Sequence, residues 1–449
     1  MSDIPEHWEE VRLSDICDIK YGNGLPQEKF TESGYPVFGA NGVIGNYSEY
    51  MYEEEQVLIS CRGAKSGKIN LSPPKSFVTN NSLILLFQDK LNKTRKYFYY
   101  CLQAVDKSKI ISGTAQPQVT ISNAKDLKVP LPPVLEQQKI IDKIESLFTQ
   151  LDAGVTSLHT AKTQLKRYRQ SVLKHAFEGK LTEEWRENHQ RNIDNAVNLQ
   201  QRLSNKLNSY RLKSGHLKET EKLVLGKLPE NWIWTLIDKI GDVSGGLTKN
   251  QRRTHYPNKV PYLRVANVYA NELRLDDIKI IGVKESELER VLLRKNDLLV
   301  VEGNGSINQI GRVAIWDDSI SPCVHQNHLI KIRFANIHLS KYVLYWLLSG
   351  EGREYITKVA SSTSGLYTLS LLKVAALPVP LAPLTEQVEI VNRIEEQLSI
   401  IDGLLIQIEQ EEKRSSNLRN SILKSAFEGN LISKDDFRPD NIVSELGVS

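Results

Sequence analysis

The sequence predicts an α+β protein in which two globular modules of mixed helices and strands are each followed by a long helix. Two observations lead to this prediction. The chain contains two copies of one plan, and each copy ends in a long stretch of apolar residues with helical spacing. We expect the two helices to pair as an antiparallel coiled coil, which would give the chain a pseudo-twofold internal duplication.

The duplication is visible as segments that match at two different offsets. Pro-Glu-His-Trp at 5–8 returns as Pro-Glu-Asn-Trp at 229–232, an offset of 224. Residues 129–181 match 379–431 at an offset of 250, with 19 of 53 positions identical. The offsets differ by 250 − 224 = 26, so the segment between the matches is 26 residues longer in the second copy. A repeat of this length indicates a duplicated module rather than a solenoid unit of about 20–50 residues.

The apolar residues of segment 135–179 recur every three or four positions, as expected for one long amphipathic helix. Two prolines precede this segment and Gly179 ends it. The second copy has the same pattern with a more polar middle, where Glu411 and Ser415 replace apolar residues. An exposed apolar stripe of this length needs a partner, and the other copy is the nearest candidate. The alternative is two separate amphipathic helices, each packed on its own module.

The segments 20–128 and 245–378 contain short apolar runs broken by Gly, Asn, Ser and Pro, which is typical of strands and turns. The predicted organisation is a first globular module at 1–133, a helix at 134–181, a polar, partly helical connector at 182–227, a second globular module at 228–383, a helix at 384–431 and a tail at 432–449.

Composition excludes several classes of protein. With 40% apolar and 25% charged residues in 449, the chain is not collagen-like, disordered or a disulfide scaffold. Its four cysteines, Cys17, Cys61, Cys101 and Cys323, form no close pair, which favours a reducing cytosol. The N-terminus is acidic and has no apolar core, so we expect no secretory signal. No run approaches the roughly 18–20 apolar residues of a membrane span, and we predict a cytoplasmic protein.

Charge is strongly polarised within the first module. Residues 1–59 carry 3 basic and 12 acidic side chains, whereas residues 60–128 carry 12 basic and 3 acidic ones. Residues 229–378 of the second module carry a milder excess, with 19 basic and 15 acidic side chains. A basic surface attracts phosphate backbones by releasing their counterions. We therefore predict a basic, nucleic-acid-binding surface formed by residues 60–128.

Polar clusters on predicted turns supply the candidate DNA contacts. Asn and Gln can bond adenine, and Arg and Lys can bond guanine, when a scaffold presents them to base edges. The candidate DNA-binding residues are Arg62, Lys65, Ser66, Lys68, Asn80, Asn81, Gln116, Gln118, Thr120, Lys249, Arg252, Arg253, Asn304, Ser306, Asn308, Gln309, His325, Gln326, Asn327, His328, Ser362 and Ser364.

Motifs that could indicate catalysis fail on inspection. Residues 63–68, GAKSGK, have three residues between the glycines where a phosphate-binding loop has four, and they end before Ile69 instead of Ser or Thr. Cys323, His325 and His328 lack an obvious fourth ligand and do not follow a usual zinc spacing. We predict no catalytic residues and no metal site in this chain.

The chain resembles the specificity subunits of type I restriction–modification systems over nearly all of its length. The features that carry this resemblance are Pro5–Trp8, Pro229–Trp232, Glu136-Gln137, Glu386-Gln387, Ala176–Gly179 and Ala426–Gly429, together with VFGANGVIGNYS (37–48), GTAQPQVT (113–120), PYLRVANV (261–268) and HQNH (325–328).

The resemblance implies two target-recognition domains, each reading one half of an asymmetric bipartite DNA target, with the long helices setting the gap. It implies two modification subunits that methylate adenine and restriction subunits that cleave unmethylated DNA. S-adenosylmethionine, ATP and magnesium would bind to those partners and not to this chain. The candidate subunit-docking residues are Glu136, Gln137, Phe177, Glu178, Glu386, Gln387, Phe427 and Glu428.

Two other interpretations stay open at this point. The chain could serve a fused restriction–methylation enzyme of another type, which neighbouring genes would reveal. It could instead be a coiled-coil adaptor with two protein-binding globules, although the basic stretch 60–128 argues against that.

Overall fold

The computed structural model describes residues 4–113, 116–189, 195–207, 225–363 and 365–432, which belong to two compact units. Unit 1 contains residues 1–160 and 407–449, and unit 2 contains residues 161–406. Each unit therefore includes one globular module, the beginning of the long helix that follows it and the end of the other long helix. The sequence-based division treated each helix as a separate domain, whereas both helices run through a unit boundary.

The first globular module is built from short strands and helices. The strands are β1 (Glu9–Arg12), β2 (Cys17–Tyr21), β3 (Tyr35–Phe38), β4 (Val43–Tyr47), β5 (Val57–Ser60), β6 (Ile69–Leu71), β7 (Phe77–Val78), β8 (Ser82–Phe87), β9 (Ile111–Ser112), β10 (Gln118–Val119) and β11 (Lys128–Leu131). The helices are α1 (Leu13–Ile16), α2 (Asp89–Asn92), α3 (Arg95–Ala104) and α4 (Ile121–Lys125), followed by the long helix α5 (Val134–Phe177).

The connector contributes α6 (Glu183–His189) and α7 (Ala196–Lys206), as expected of a partly helical segment. The strands of the second module are β12 (Ile233–Leu236), β13 (Gly241–Gly245), β14 (Asn258–Leu263), β15 (Val268–Tyr269), β16 (Glu272–Leu273), β17 (Lys279–Val283), β18 (Leu298–Val301), β19 (Gly303–Asn304), β20 (Val313–Ile315), β21 (Val324–His325), β22 (Leu329–Phe334), β23 (Ser361–Thr363), β24 (Leu366–Thr368) and β25 (Pro378–Leu381). Its helices are α8 (Glu285–Val291), α9 (His338–Leu348), α10 (Gly350–Val359) and α11 (Leu371–Ala375), followed by the long helix α12 (Leu384–Phe427).

The two modules share one topology although their sequences differ. Module one has a sheet of order β2-β8-β5-β6, a smaller sheet β4-β3-β7 and the pair β1-β11. Module two repeats these as β13-β22-β18-β20, β17-β14-β21 and β12-β25. In both modules the middle strand of the small sheet pairs in parallel with its short third strand. The duplication predicted from the flanking motifs therefore extends through the globules.

Much of the extra length of the second module lies in two connections. Residues 39–42 join β3 to β4 in a tight turn, whereas residues 264–278 join β14 to β17 and contain the β15–β16 hairpin. Residues 284–297 between β17 and β18 contain α8, whereas residues 48–56 of the first module contain no helix.

The long helices pair in an antiparallel manner within each unit. In unit 1 the Arg419 side chain pairs with Asp152, and its guanidinium lies 4.2 Å from the ring centre of Phe148. In unit 2 Arg169 pairs with Asp402, and the Tyr168 hydroxyl donates to Gln397 at 3.1 Å. Residue numbers in these pairs increase along α5 while they decrease along α12. The predicted antiparallel coiled coil is confirmed, and the alternative of two separate helices is excluded.

The repeated motifs meet in each unit to form what we call the Trp–Glu joint. In unit 1 the Trp8 indole donates to Glu136 Oε1 at 3.0 Å, and His7 Nε2 lies 3.0 Å from Glu136 Oε2. The end of α12 closes this joint. Gly429 has a φ of +77°, and a Cβ there would lie 2.2 Å from the Pro5 ring, so only glycine fits.

Unit 2 contains the same joint with more donors. Glu386 accepts hydrogen bonds from the Trp232 indole at 2.8 Å, from Thr182 Oγ1 at 2.8 Å and from Arg186 Nε at 2.9 Å. The end of α5 closes it, because Gly179 has a φ of +73° and a Cβ there would lie 2.3 Å from Pro229. Each joint thus unites the start of a module, the start of its own long helix and the end of the other long helix.

This arrangement corrects most of the predicted docking residues. Six of the eight are buried, with exposures of 9% or less: Glu136, Gln137, Phe177, Glu386, Gln387 and Phe427. The Phe177 ring packs at 5.3 Å from Tyr342, and Phe427 packs at 5.3 Å from Tyr97. Side chains that are buried and paired within the chain hold the helices to the modules and present almost no surface to another protein. Glu178 and Glu428 keep exposed surface, and their docking role stays a prediction.

The joint in unit 2 should contribute more stability than the joint in unit 1. We expect Glu386→Gln to lower the free energy of unfolding by about 1–3 kcal/mol, because it removes the charge that the half-buried Arg186 needs. Glu136→Gln should cost clearly less, since its second donor, His7, is largely exposed. Urea-induced unfolding of the whole chain measures both, and the exposed pair Arg294–Glu289 offers Glu289→Gln as a silent control. Equal losses at Glu136 and Glu386 would contradict the assignment.

Candidate nucleic-acid interface

Three loops of module one meet at Cys61 and form the polar edge of module one. These are the β5–β6 loop 62–68, the turn 79–81 and the strand start near Gln118. The Cys61 amide donates to Asn81 O at 3.0 Å, and the Val119 amide donates to Cys61 O at 3.1 Å. The structure therefore brings together three of the polar clusters that the sequence analysis found separately.

The β5–β6 loop is held against its neighbour by backbone contacts. The Gly63 amide donates to Pro117 O at 3.1 Å, and Ser66 Oγ donates to the same oxygen at 2.6 Å. Arg62, Lys65 and Lys68 project from this fixed loop and are exposed. No acidic side chain among the described residues forms an ion pair with these three cations, so their charges face solvent on a rigid support.

Folding neutralises part of the charge split seen in the sequence. Lys75 pairs with Glu53, Arg95 with Glu54 and Lys128 with Glu10. In each pair a cation from the basic stretch 60–128 meets a carboxylate from the acidic stretch 1–59. The unpaired positive charge is consequently more local than the sequence predicted, and the loop 62–68 carries part of it.

Module two has a corresponding polar edge in the same place of its sheets. The Leu247 amide donates to His325 O at 2.8 Å, and the Glu302 amide donates to His328 O at 3.0 Å. The Leu369 amide donates to Glu302 O at 2.7 Å, which ties in the β23–β24 hairpin. One end of module two therefore contains four of the predicted polar clusters, at 249–253, 304–309, 325–328 and around 362.

Most candidate residues retain exposed surface. The exposed ones are Arg62, Lys65, Lys68, Gln116, Gln118, Lys249, Arg252, Ser306, Asn308, Gln309, His328 and Ser362. The half-buried ones are Ser66, Asn80, Asn81, Thr120, Asn304, Gln326 and Asn327. Ser364 lies outside the described residues. Contact of these side chains with DNA stays a prediction.

Two candidates, Arg253 and His325, are buried and have internal roles instead, and the half-buried Thr120 also has a structural role. Arg253 is buried and forms two hydrogen bonds with Glu287, both 3.1 Å long. His325 has no exposed surface, and its Nδ1 lies 3.0 Å from Val291 O. Burial, helped by the charge of Lys331, lowers the pKa of His325 to about 3, so the ring is neutral at physiological pH. Thr120 caps α4, since its hydroxyl accepts from the Asn123 amide at 3.2 Å.

Sequence reasoning missed a cationic cluster that the longer connection 264–278 of module two forms with Arg312, which directly precedes β20. Two guanidinium groups lie near the Tyr269 ring, with ring-centre distances of 3.8 Å to Arg274 and 4.6 Å to Arg312. The arginine side chains stack on an aromatic face, a favourable arrangement for a cation. The only sequence signal was the extra length of the second copy, which showed where the modules differ but not what the insertion carries.

The arrangement of two like modules on paired helices has a counterpart among protein families. A family model described as "Type I restriction modification DNA specificity domain" matches residues 5–166 and 229–413, well over half of the chain. The chain belongs to the type I restriction–modification DNA specificity family. It therefore provides DNA sequence specificity in a type I restriction–modification system, with one specificity domain for each module.

Relatives in this specificity family cover the chain to different extents. The chain is 26% identical over 455 residues to the type I restriction enzyme EcoBI specificity subunit of Escherichia coli, and the match covers 95% of this chain and 87% of the relative. It is 29% identical over 310 residues to the EcoKI specificity subunit of Escherichia coli strain K12, covering 68% of this chain and 58% of that subunit.

Solved structures support the fold. A chain from a structure titled for complex assembly and conformational transition of the type I R-M system matches with a TM-score of 0.64 at 16% identity, covering 96% of this chain and all of that one. The HsdS subunit from Thermoanaerobacter tengcongensis matches with a TM-score of 0.51 at 16% identity, covering 96% of this chain and 100% of its own. Among the described residues, no helix combines the length and apolar character that crossing a bilayer requires.

The unpaired cations of loop 62–68 should contact phosphates. We expect Lys65→Ala and Lys68→Ala each to weaken DNA binding and to reduce the slope of log affinity against log salt by about 1. Fluorescence anisotropy with a target duplex at several salt concentrations measures this slope. Lys75→Ala is the matched control, because Lys75 is also exposed but pairs with Glu53. Unchanged slopes for both loop variants would remove this loop from the interface.

Proposed function

We propose that the chain reads an asymmetric, bipartite DNA sequence, one half with each module, and that it performs no catalysis itself. The observation that carries this proposal is the combination of one shared strand topology with two different polar edges. A common scaffold supports two readers of the same kind. Different side chains and loop lengths at the same edge support two different half-sequences.

The differences lie where base contacts would form. Module one presents a tight turn at 39–42 and the loop 62–68, whose three cations form no ion pair with an acidic side chain in the described ranges. Module two presents the β15–β16 hairpin, whose Tyr269 contacts Arg274 and Arg312, and the polar loop 303–311. Since direct readout depends on which donors and acceptors reach a base edge, these two edges should select unlike sequences.

We further propose that α5 and α12 set the gap between the half-sequences. Each helix has 44 residues, which corresponds to about 66 Å at 1.5 Å per residue. That length exceeds the roughly 34–36 Å between half-sites one DNA turn apart. Antiparallel pairing stiffens both helices.

We propose that two modification subunits bind this chain and methylate adenine with S-adenosylmethionine, and that restriction subunits add ATP- and magnesium-dependent cleavage. The duplication offers two like surfaces outside the joints. Lys96 pairs with Glu145 at 2.8 Å in unit 1, and Lys341 pairs with Glu395 at 2.6 Å in unit 2. Each pair links a helix of a module to a long helix and keeps exposed surface. Repeated surfaces suit two copies of one partner.

Exchanging one module should change one half of the target. We expect a chain in which residues 20–128 come from another family member to direct methylation to a new half-sequence while the other half stays the same. The reason is that each polar edge is built within its own module. Sequencing that detects methylated adenine, in cells expressing the modification subunits, measures the result.

The matched control exchanges residues 245–378 and should change only the other half-sequence. A change in both halves from either single exchange would contradict the modular reading.

A further inference from the structure

Arg312 of module two occupies the position that Lys68 has in module one. The Ser60 amide donates to Lys68 O at 2.9 Å, and in the other module the Val301 amide donates to Arg312 O at 2.9 Å. In both modules a glycine with a positive φ, +84° in module one and +64° in module two, directly precedes the cation. The two cations therefore end equivalent loops at the two polar edges.

The surroundings of these two cations differ. Lys68 is exposed, whereas Arg312 is half-buried and its guanidinium lies 4.6 Å from the ring centre of Tyr269. The Arg312 guanidinium also donates to Gln309 Oε1 at 3.5 Å and to Val265 O at 3.3 Å. Module two thus holds its cation in one orientation, with contacts from both the polar loop and the insertion.

The β15–β16 hairpin fixes the position of Tyr269. Val268, its neighbour in β15, is fully buried, so the alternation of side chains along a strand directs Tyr269 to the opposite face. The Asn271 amide in the hairpin turn donates at 2.8 Å to the oxygen of Val313, the residue that follows Arg312. The insertion that distinguishes module two therefore carries the support for Arg312.

The two arginines beside Tyr269 differ in how their charges are paired. Arg274 pairs with Glu272 at 2.8 Å. Within the described ranges, no acidic side chain forms an ion pair with Arg312. Its Nε is buried and has no hydrogen-bond partner there, and its two side-chain contacts are long. Arg312 therefore keeps both its positive charge and N–H donors for an acceptor outside the chain.

We propose that Arg312 is a specificity-determining residue that reads a guanine in the half-sequence of module two, and that Tyr269 is its positioning residue. A guanidinium held in one plane can donate two hydrogen bonds to the O6 and N7 atoms of guanine. The lysine at the same place in module one is instead a point charge on a flexible stem, which suits a phosphate. This inference rests on the proposed function, because it requires that module two reads DNA.

Mapping methylated adenines in cells that express the modification subunits tests this assignment. The exchange of residues 245–378 first identifies the half-sequence of module two, which should contain guanine. We expect Arg312→Lys to lower the preference for guanine at one position of that half by at least about fivefold and to leave every other position unchanged. Lysine keeps the charge but lacks the planar fork, so the motif would stay intact if Arg312 contacted only phosphate.

Tyr269→Leu is a second variant, which leaves Arg312 in place. It removes the aromatic face and should relax the same position, and it decides the outcome if Arg312→Lys abolishes methylation. Arg294→Ala is the matched control, because Arg294 is an exposed arginine of the same module that pairs with Glu289. This control should leave the motif unchanged.

An unchanged motif in both variants would overturn the inference, as would a half-sequence of module two without guanine or relaxation in the other half. Slower methylation of an unchanged motif, with a smaller salt slope of DNA binding, would also overturn it and would assign Arg312 to a phosphate. Relaxation by Arg312→Lys alone would overturn only the positioning role of Tyr269. Failure of the proposed function looks different, since the unaltered chain would then direct methylation to no bipartite motif.

Discussion

The architecture depends on a buried carboxylate that holds a tryptophan at the start of each long helix. Glu386 has no contact with solvent and is stable there because three donors surround it. Burying an unpaired carboxylate would cost free energy, so the carboxylate is stable in the core only when its hydrogen-bond donors are packed around it. The donors and the carboxylate belong to three separate parts of the sequence. The joint therefore fixes a module to the start of one helix and to the end of the other, and the antiparallel pairing follows from it.

The helices were predictable because their information is local. Apolar spacing predicted a helix at 135–179, and α5 runs from Val134 to Phe177. The polar middle of the second copy is compatible with a continuous helix, since α12 runs unbroken from Leu384 to Phe427, and Glu412 in that middle lies 3.6 Å from His159 of α5. The joint motifs were recognised in the sequence, but their role was wrong. Burial arises from contacts between distant segments, and a pattern such as Glu-Gln before a helix does not show whether it faces solvent or a tryptophan.

The candidate interface was predictable in outline only. The polar clusters were found, and the structure brings them together at one edge of each module. The sequence could not distinguish Arg252, which is exposed, from Arg253, which binds Glu287, because neighbouring arginines look alike until the fold separates them. Tyr269 with its two arginines was missed for a similar reason. Tyr269 and Arg274 belong to the insertion that contains the β15–β16 hairpin, whereas Arg312 precedes β20, so only the fold brings the three side chains together. The bases read by each module depend on such loop geometry and not on spacing along the chain.

Shared parts of the chain thus build the support, and divergent parts build the reading edges. We propose that the two modules read two unlike half-sequences separated by a constant gap. Mapping methylated adenines across the genome of a host with and without this chain tests it most directly. We expect one motif with two different half-sequences separated by a gap of constant length, methylated only when the chain is present. A continuous motif, a palindromic motif or a gap of variable length would contradict it.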